Sequence, residues 1–336
     1  MTATYQRIVL ASRPTGPVTP QNFRLESVPL PDPGEGQVLI RVHYLSLDPY
    51  MRGRMIESRS YAQPQKIDET MIGGTVGVVE VSRNPKFAVG DTVLGTLGWA
   101  EYGLSDGRGL MTVDTRAIPM SAYLGTVGMP GVTAWYGLNR ICQPKAGETV
   151  LVSAASGAVG SVVGQLAKLQ GCRAVGIAGG PDKCRYVTEE LGFDACIDHR
   201  EHTDIRSMAR ALKAVAPNGV DGVFENVGGV CLDGALACMN PFGRIAVCGL
   251  IAGYEGTAIP IHNVFALVAM RLKIEGFIVS DHLDAWPQAL AELGQGVASG
   301  RLKYRESVAH GLAAAPEAFI GMLAGRNFGK QLVKLA

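Results

Sequence analysis

The residues with the clearest chemical potential form a loop of small side chains between a predicted strand and a predicted helix. The strand is Thr149–Val152, and an apolar stripe with helical spacing starts at Val159. The loop between them reads Ala154, Ala155, Ser156, Gly157, Ala158, Val159, Gly160. Small residues let a backbone approach a diphosphate, and the following helix offers unpaired N–H groups and its positive dipole end. We therefore predict a dinucleotide site from this variant of the G-x-G-x-x-G fingerprint.

The end of the next strand predicts which dinucleotide is bound. Proteins that bind NAD usually carry a carboxylate there, which holds the ribose hydroxyls. In this chain the strand ends in Ala178, Gly179 and Gly180, and Lys183 follows. Small residues leave room for a 2′-phosphate and a lysine neutralises it, so the pattern favours NADP(H). The carboxylate of Asp182 would favour NAD, although Asp182 could instead cap the following helix. For Lys183 the alternative is an ordinary lysine on the solvated surface.

Two patterns of elements must position these residues. Short strand-like runs such as 38–42, 77–81 and 89–94 are separated by turns, which predicts a compact barrel-like β unit in the first third. After about residue 125, short apolar strands alternate with helical periodicity, which predicts a parallel sheet covered by helices. A helix over 316–323 and a strand over 331–335 close the chain. The predicted fold class is α/β.

The composition is that of a globular protein with a sizeable core. Of 336 residues, 47% are apolar and 18% charged, and the net charge of +1 is spread along the chain, which argues against nucleic-acid binding. No apolar run approaches the length of about 18 residues that spans a membrane. The seven cysteines show no CxxC spacing, which argues against a disulfide framework. Free thiols and an N-terminus without a signal-like apolar core predict a cytoplasmic protein.

The sequence also predicts no metal site. A catalytic zinc needs a tetrahedral set of Cys, His and acidic ligands with one open position. No cysteine precedes Cys142, and His43 is the only histidine before His199. Because His43 lies within a strand-like run, we interpret it as a packed side chain rather than a ligand.

Motifs spaced along nearly the whole chain resemble one family. They read SLDPYMR (46–52), GMPGVTAWYG (128–137), ASGAVGSVVG (155–164), ENVGG (225–229) and NFGK (327–330). Together they resemble the prostaglandin/leukotriene reductase branch of the zinc-independent medium-chain dehydrogenases/reductases. That branch includes alkenal double-bond reductases and bacterial curcumin reductases. The bacterial members are most similar around GGPDKC (179–184) and LGFD (191–194).

The resemblance implies a domain arrangement, an activity and partners. Residues 1–125 and 300–336 would form a catalytic GroES-like β-barrel domain, and 126–299 an NADP-binding Rossmann domain with a doubly wound parallel sheet. The implied activity is NADPH-dependent reduction of the C=C bond of an α,β-unsaturated aldehyde or ketone. The implied partner is a small hydrophobic unsaturated carbonyl compound, with no nucleic acid and no membrane. Relatives are commonly dimers, so a homodimer is expected.

The resemblance also assigns residues to the cofactor. The glycine loop would hold the diphosphate, Lys183 the 2′-phosphate, and Asn226 would lie beneath the cofactor at a strand end. The segment 248–254 would line the nicotinamide side, and 277–279 would approach the carboxamide through backbone groups. The implied cofactor-binding residues are Met129, Thr133, Ser156, Gly157, Ala158, Val159, Gly160, Gly179, Lys183, His199, Asn226, Cys248, Gly249, Leu250, Ile251, Phe277, Ile278, Val279 and Asn327.

The chain departs from the family pattern at two positions. Many relatives have a tyrosine near the 2′-phosphate where this chain has His199. A histidine can also bind phosphate, and Arg200 is adjacent. Some plant relatives carry a proposed catalytic tyrosine where this chain has Ala269, so that role does not transfer.

Two tyrosines are candidates for the chemistry. Hydride transfer to the β-carbon of an enone places negative charge on the carbonyl oxygen, and a hydrogen-bond donor there lowers the barrier. Tyr254 is the first candidate because its loop follows a late strand, and such loops face the ligand crevice of a parallel sheet. Tyr50 is the second, from the motif in the catalytic domain. A pocket-wall position is the alternative for either tyrosine.

Two other functions fit much of the same pattern. An NADPH:quinone oxidoreductase of the same superfamily would share the glycine loop and the missing zinc ligands. The motifs at 48–52 and 128–131 favour the double-bond reductase. A protein that binds NADPH without turnover is the alternative from another class.

Overall fold

The computed structural model describes residues 3–336, and the chain folds as two compact units. The first unit comprises the residues up to Leu124 together with Glu306–Ala336, and the second is Gly125–Arg305. The sequence placed the two crossings at 125/126 and 299/300. The functional roles given to the two domains remain predictions.

Strands dominate the first unit, and strands alternate with helices in the second. The strands are β1 Thr4–Leu10, β2 Phe23–Pro29, β3 Val38–Ser46, β4 Thr75–Ser82, β5 Thr92–Gly95, β6 Tyr102–Ser105, β7 Met111–Thr112, β8 Thr149–Val152, β9 Arg173–Ala178, β10 Ala195–Asp198, β11 Val220–Glu225, β12 Met239–Val247, β13 Lys273–Gly276, β14 Glu306–His310 and β15 Lys330–Lys334. The α-helices are α1 Tyr50–Arg54, α2 Met129–Tyr136, α3 Gly160–Leu169, α4 Pro181–Arg185, α5 Ile205–Val215, α6 Val230–Leu236, α7 Phe265–Ala269, α8 Trp286–Ala298 and α9 Ala315–Leu323. The π-helical turns are Gly137–Cys142 and Tyr186–Glu190, and the 3₁₀ turns are Pro20–Asn22, Met120–Leu124, His199–Glu201, Ile251–Gly253, Val279–Asp281, Leu283–Ala285 and Leu312–Ala314.

The second unit is a doubly wound sheet in which every strand pairing is parallel. Its order is β10-β9-β8-β11-β12-β13, the arrangement of dinucleotide-binding sheets. All four residues of β8 are buried, as expected of a parallel strand covered on both faces. The strand order reverses between β8 and β11, so the carboxyl ends of these two strands flank the crevice where ligands bind in such sheets. The predicted fold class is confirmed.

The first unit is built around β3, which is central to a larger β-sheet. β4 pairs antiparallel along β3, β6 pairs with its residues 38–41, and β15 pairs with residues 44–46. His43 lies within β3 as predicted. β1 and β2 form a separate antiparallel pair.

A buried ion pair ties the C-terminal tail to the segment that follows β3. The Lys330 Nζ donates to Asp48 Oδ1 and to the Leu47 carbonyl, both at 2.7 Å. Ser46 Oγ donates to the other carboxylate oxygen of Asp48. Lys330 and Asp48 are 5% and 6% exposed, so the pair fixes the entry to α1, where Tyr50 stands, against β15.

Several predicted boundaries differ from the structure. The helix after the glycine loop begins at Gly160, one residue after Val159, where the predicted apolar stripe starts. The sequence also predicts a helix over 182–191, and the structure has a short α4 followed by a π turn there. Asp182 is not the cap of α4, because Gly180 holds that position and Asp182 pairs with Arg185 at 2.9 Å. None of the helices within residues 3–336 is long and apolar enough to cross a membrane.

Candidate dinucleotide-binding site

The glycine-rich loop is a tight turn that only small residues allow. Ala154, at its start, adopts a φ of 49°, a left-handed conformation that is uncommon for residues with a Cβ. Its carbonyl oxygen accepts a 2.9 Å hydrogen bond from the Gly157 amide. A Cβ on Gly160 would lie 2.4 Å from that same oxygen, so α3 can begin against the loop only with glycine. The amino end of α3, where the helix dipole is positive, therefore follows the turn directly, a position that favours an anion.

A basic cluster stands at the ends of β9 and β10 and comprises Lys183, His199 and Arg200. A Cβ on Gly179 would lie 2.8 Å from His199 Nε2, and one on Gly180 would lie 2.9 Å from Arg200 Nη1. Burial lowers the pKa of Lys183, and the charge of Arg200 acts in the same direction. Burial also lowers the pKa of His199, with Arg200 and Lys183 adding to the effect against Asp198. A phosphate dianion would offset this mutual repulsion.

The carboxylate of Asp198, next to His199 in the sequence, accepts hydrogen bonds from the backbone. Asp198 Oδ1 accepts the Gly180 N–H at 2.8 Å and the Arg200 N–H at 3.0 Å. Burial opposes ionisation of Asp198, but these hydrogen bonds hold its pKa below the usual value. Asp198 therefore holds the two segments that carry the basic side chains together.

A buried carboxyl group joins the carboxyl ends of β8 and β11. Glu225 Oε1 accepts hydrogen bonds from Ser153 Oγ at 2.8 Å, the Val227 amide at 2.6 Å and the Gly228 amide at 2.7 Å. Ser153 Oγ in turn accepts the Asn226 amide at 2.8 Å. Glu225 and Ser153 are each 1% exposed. One oxygen of Glu225 thus holds the turn after β11 in place, at the point where the strand order reverses.

Asn226 connects this network to the loop after β12. Its Nδ2 donates to the Ser153 carbonyl at 2.7 Å, and its Oδ1 accepts from Cys248 Sγ at 2.9 Å. The amide of Ile251 donates to the Asn226 carbonyl at 3.1 Å. Burial, and then the charge of Glu225, raise the pKa of Cys248, so this thiol is a neutral donor rather than a nucleophile.

The loops after β12 and β13 line an open cavity of about 490 Å³. Its lining residues are Val247, Cys248, Gly249, Leu250, Tyr254, Gly276, Phe277, Ile278, Asp281 and His282. The Tyr254 hydroxyl lies at this cavity and accepts a long 3.4 Å hydrogen bond from the Leu250 amide. The cavity therefore brings together the predicted segment 248–254 with two of the three residues predicted at 277–279, while Val279 is buried just beyond them.

Aromatic packing holds Phe277 at the cavity wall. Its ring centroid lies 5.4 Å from that of Tyr136 and 6.3 Å from that of Phe224, in an edge-on contact. A Cβ on Gly137 would lie 2.4 Å from the Phe224 ring and 2.9 Å from the Phe277 ring. Tyr136 also stacks on His282 at 4.1 Å between centroids.

The remaining predicted site residues lie on other elements. Met129 and Thr133 are on α2, where the Thr133 hydroxyl donates to the Met129 carbonyl at 2.8 Å. Asn327 and Tyr50 belong to the first unit, in which Asn327 Nδ2 donates to the Gly329 carbonyl at 2.8 Å. Burial and the charge of Asp48 raise the pKa of Tyr50.

The structure adds residues that sequence reasoning did not single out. Glu225 and Ser153 organise the strand ends, while Asp281 and His282 line the cavity. A polar pair that ends a buried strand, as in Glu225-Asn226, was the available signal for Glu225. Across residues 3–336 no group of three or more His, Cys, Asp or Glu side chains is arranged to hold a metal ion.

Two protein-family models match the chain. One is described as the N-terminal domain of oxidoreductase and matches residues 6–113. The other is described as zinc-binding dehydrogenase and matches residues 158–295. Together they span both compact units.

Curated proteins and solved structures match over nearly the full length. An NADPH-dependent curcumin reductase of Escherichia coli K12 is 47% identical, over 98% of this chain and 97% of that protein. An NADP(+)-dependent 2-alkenal reductase of Nicotiana tabacum is 43% identical, over 90% of this chain and 88% of that protein. A crystal structure of CurA from Vibrio vulnificus in complex with NADPH has a TM-score of 0.93 at 46% identity, covering 98% of this chain and 99% of that one.

The Glu225 network predicts a pH dependence of stability. Burial raises the pKa of Glu225 despite the hydrogen bonds from Gly228, Val227 and Ser153, so the folded chain binds this proton more tightly than the unfolded chain. The stabilisation is complete below the unfolded pKa and is lost as pH rises through the folded pKa. Because Glu225→Gln cannot ionise, the free energy of unfolding of the parent relative to this variant should fall as pH rises above the ordinary pKa of a glutamate and through the raised folded pKa.

Urea denaturation at several pH values measures that difference. Glu189→Gln, at an exposed position of the same unit, is the matched control and should follow the parent profile. A parent-minus-Glu225→Gln difference that stays flat or rises with pH would contradict the assignment.

Proposed function

The chain belongs to the zinc-independent medium-chain dehydrogenase/reductase family, in the branch of the prostaglandin, alkenal and curcumin reductases, and from that premise we propose that it reduces the C=C bond of α,β-unsaturated aldehydes and ketones with NADPH. The main support for this proposal is that the second unit contains three features of such a reductase together. A small-residue loop opens α3, the basic cluster stands at the neighbouring strand ends, and an apolar-walled cavity adjoins Tyr254.

NADP(H) is the cofactor, and the residues of the second unit fit it. The amino end of α3 suits a diphosphate. Lys183 and Arg200 supply positive charge for a 2′-phosphate, His199 offers a ring N–H to it, and Gly179 leaves the space beside them. Asp198 accepts backbone N–H groups instead of presenting its carboxylate to ribose hydroxyls, which supports NADPH over NADH.

When bound, NADPH supplies a hydride for the β-carbon of the substrate. The chain must then stabilise negative charge on the carbonyl oxygen, and Tyr254 is the proposed donor to that oxygen. The Leu250 amide donates to the Tyr254 hydroxyl oxygen at 3.4 Å, so this contact uses the hydroxyl as an acceptor and does not use its proton. Val247, Leu250 and Ile278 give the cavity apolar walls, which supports a hydrophobic substrate. Tyr50 is the second proposed donor.

We also propose that the protein is a homodimer. β13 is at the edge of its sheet, and α7, which precedes it, presents Phe265 at 76% and Val268 at 72% exposure. Exposed apolar patches of this kind mark association surfaces. Sedimentation velocity that gave only the monomer mass at micromolar concentration would refute the proposal.

A substrate comparison under matched NADPH tests the activity. A conjugated enone should be turned over to the ketone saturated at its C=C bond, identified by NMR, while the already saturated ketone serves as the control and should remain unreduced. Faster turnover of a para-quinone than of every enone and enal would identify a quinone oxidoreductase instead. Tight NADPH binding without oxidation by any of these compounds would identify a binding protein.

Removing the lysine of the basic cluster should change cofactor choice. Lys183→Ala should raise the KM for NADPH about tenfold or more, because a charge-assisted phosphate contact is lost, and should leave the KM for NADH unchanged. Arg185→Ala, two residues away and paired with Asp182, is the control. An equal change for both nucleotides would remove Lys183 from phosphate recognition.

Removing the proposed donor should slow the reduction. Tyr254→Phe should lower kcat for an enone by about 10- to 100-fold, the effect of one oxyanion donor. Tyr123→Phe is the matched control, because that hydroxyl donates to the Asp114 carbonyl within the first unit. A kcat for Tyr254→Phe within about twofold of the parent would exclude the tyrosine from the chemistry.

A further inference from the structure

A buried carboxylate other than Glu225 lies on α6, one turn after the helix begins. Asp233 is 1% exposed. Its Oδ1 accepts the His262 amide at 2.9 Å and the Asn263 amide at 2.7 Å, and its backbone carbonyl accepts Asn263 Nδ2 at 2.8 Å. Burial of a carboxylate is costly unless hydrogen bonds satisfy it. These three contacts therefore attach the chain at 262–263 to α6.

The attached residues end the loop that carries Tyr254. We call residues 254–263 the Tyr254 loop. Just before the loop begins, the amides of 251–252 donate to carbonyls of the turn after β11, at 3.1 and 3.0 Å. At its end, the contacts with Asp233 hold the loop to α6, which follows the same turn. Both ends of the loop are therefore attached to one stretch of chain, residues 226–233.

Ile259, in the second half of the loop, packs where two glycines leave room. A Cβ on Gly228 would lie 3.0 Å from Ile259 Cδ1, and a Cβ on Gly253 would lie 3.1 Å from the same atom. Gly253 directly precedes Tyr254. The Ile259 side chain therefore links the attached end of the loop to the backbone from which the tyrosine extends.

The place of the tyrosine hydroxyl depends on this backbone. The hydroxyl lies at the cavity, 3.4 Å from the Leu250 amide, and a Cβ on Gly249 would lie 3.3 Å from it. A donor stabilises a developing oxyanion only when it is held close to the place where the charge forms. A misplacement of about 1 Å can lower a rate by about 100-fold. A residue that fixes the loop therefore affects the chemistry without touching the substrate.

We propose that Asp233 is a positioning residue for the reduction, which holds the far end of the Tyr254 loop and thereby sets where the phenol stands at the cavity. Asp233 acts through the loop backbone and not on the substrate. Loss of its carboxylate would leave the amides of 262–263 without this acceptor, and an unpaired buried donor is costly, so the loop would move away from α6. The effect on catalysis rests on the proposed function, whereas the attachment of the loop does not.

Three variants of the full-length chain test the proposal by hydrogen exchange. Asp233→Ala removes the acceptor, whereas Asp233→Asn keeps a carbonyl oxygen in the position of Oδ1. Asp221→Ala is the matched control, because that carboxylate also accepts a backbone amide, from Thr149 at 2.8 Å, but lies at the amino end of β11. Exchange of residues 254–263 should be about tenfold faster or more in Asp233→Ala, as expected for loss of a charged acceptor, and unchanged in the other two variants.

Kinetics with an enone provide the second readout. Asp233→Ala should lower kcat about tenfold or more and leave the KM for NADPH within about twofold of the parent, because the proposed phosphate contacts lie on other segments. Asp233→Asn and Asp221→Ala should keep kcat within about twofold of the parent. In a Tyr254→Phe background, Asp233→Ala should lower kcat by less than about twofold further, since the donor that it positions is already absent.

The two readouts separate the possible failures. Exchange of residues 254–263 that is unchanged in Asp233→Ala, or equally fast in Asp221→Ala, overturns the attachment. Faster exchange with kcat within about twofold of the parent overturns the positioning role, as do losses that multiply in the double variant. A parent that reduces no enone refutes the proposed function and the catalytic effect together, while exchange still decides the attachment. If Asp233→Ala does not fold, Asn263→Ala, which removes the Nδ2 contact with the Asp233 carbonyl, supplies the same comparison.

Discussion

The arrangement of the second unit depends on one buried carboxyl group at the point where the strand order reverses. An isolated carboxylate in the interior is strongly disfavoured unless hydrogen bonds satisfy it. Here three donors converge on a single oxygen of Glu225, one from the end of β8 and two from the turn after β11. These donors fix Asn226, and Asn226 fixes the Cys248 thiol and the start of the next loop. The crevice is therefore shaped by polar contacts within the sheet rather than by flexible loops alone.

Local sequence was sufficient for the features that depend on local rules. The four buried residues of β8, the glycine loop and the alternation of strands and helices follow from apolar patterning and turn chemistry. The exact start of α3 was not predictable, because it depends on how closely Gly160 approaches the Ala154 carbonyl. The π turn after α4 was also missed, since a π turn has the same apolar spacing as a helix over so few residues.

The candidate site could be predicted residue by residue only where chemistry and sequence position coincide. Lys183 could be named as a candidate because it comes shortly after the end of a predicted strand. The role of Asp198 depends on parallel pairing with β9 across a helix, which no local pattern reveals. Glu225 was visible as part of a motif, but one of its three donors is Ser153, which is far away in sequence. Tyr50 and Asn327 were assigned by resemblance, and their roles remain predictions.

The proposed role of the basic cluster in cofactor choice has a physical basis in the cluster itself. Burial and the charge of Arg200 lower the pKa of Lys183, and burial together with the charges of Arg200 and Lys183 lowers the pKa of His199 against the effect of Asp198. The phosphate dianion of NADPH offsets the repulsion among the cations of the cluster, whereas the bare ribose of NADH leaves it in place. The discrimination would therefore include a penalty against NADH as well as a gain for NADPH. Such a penalty requires the two segments to hold their cations at a fixed separation, which is the task of the Asp198 carboxylate.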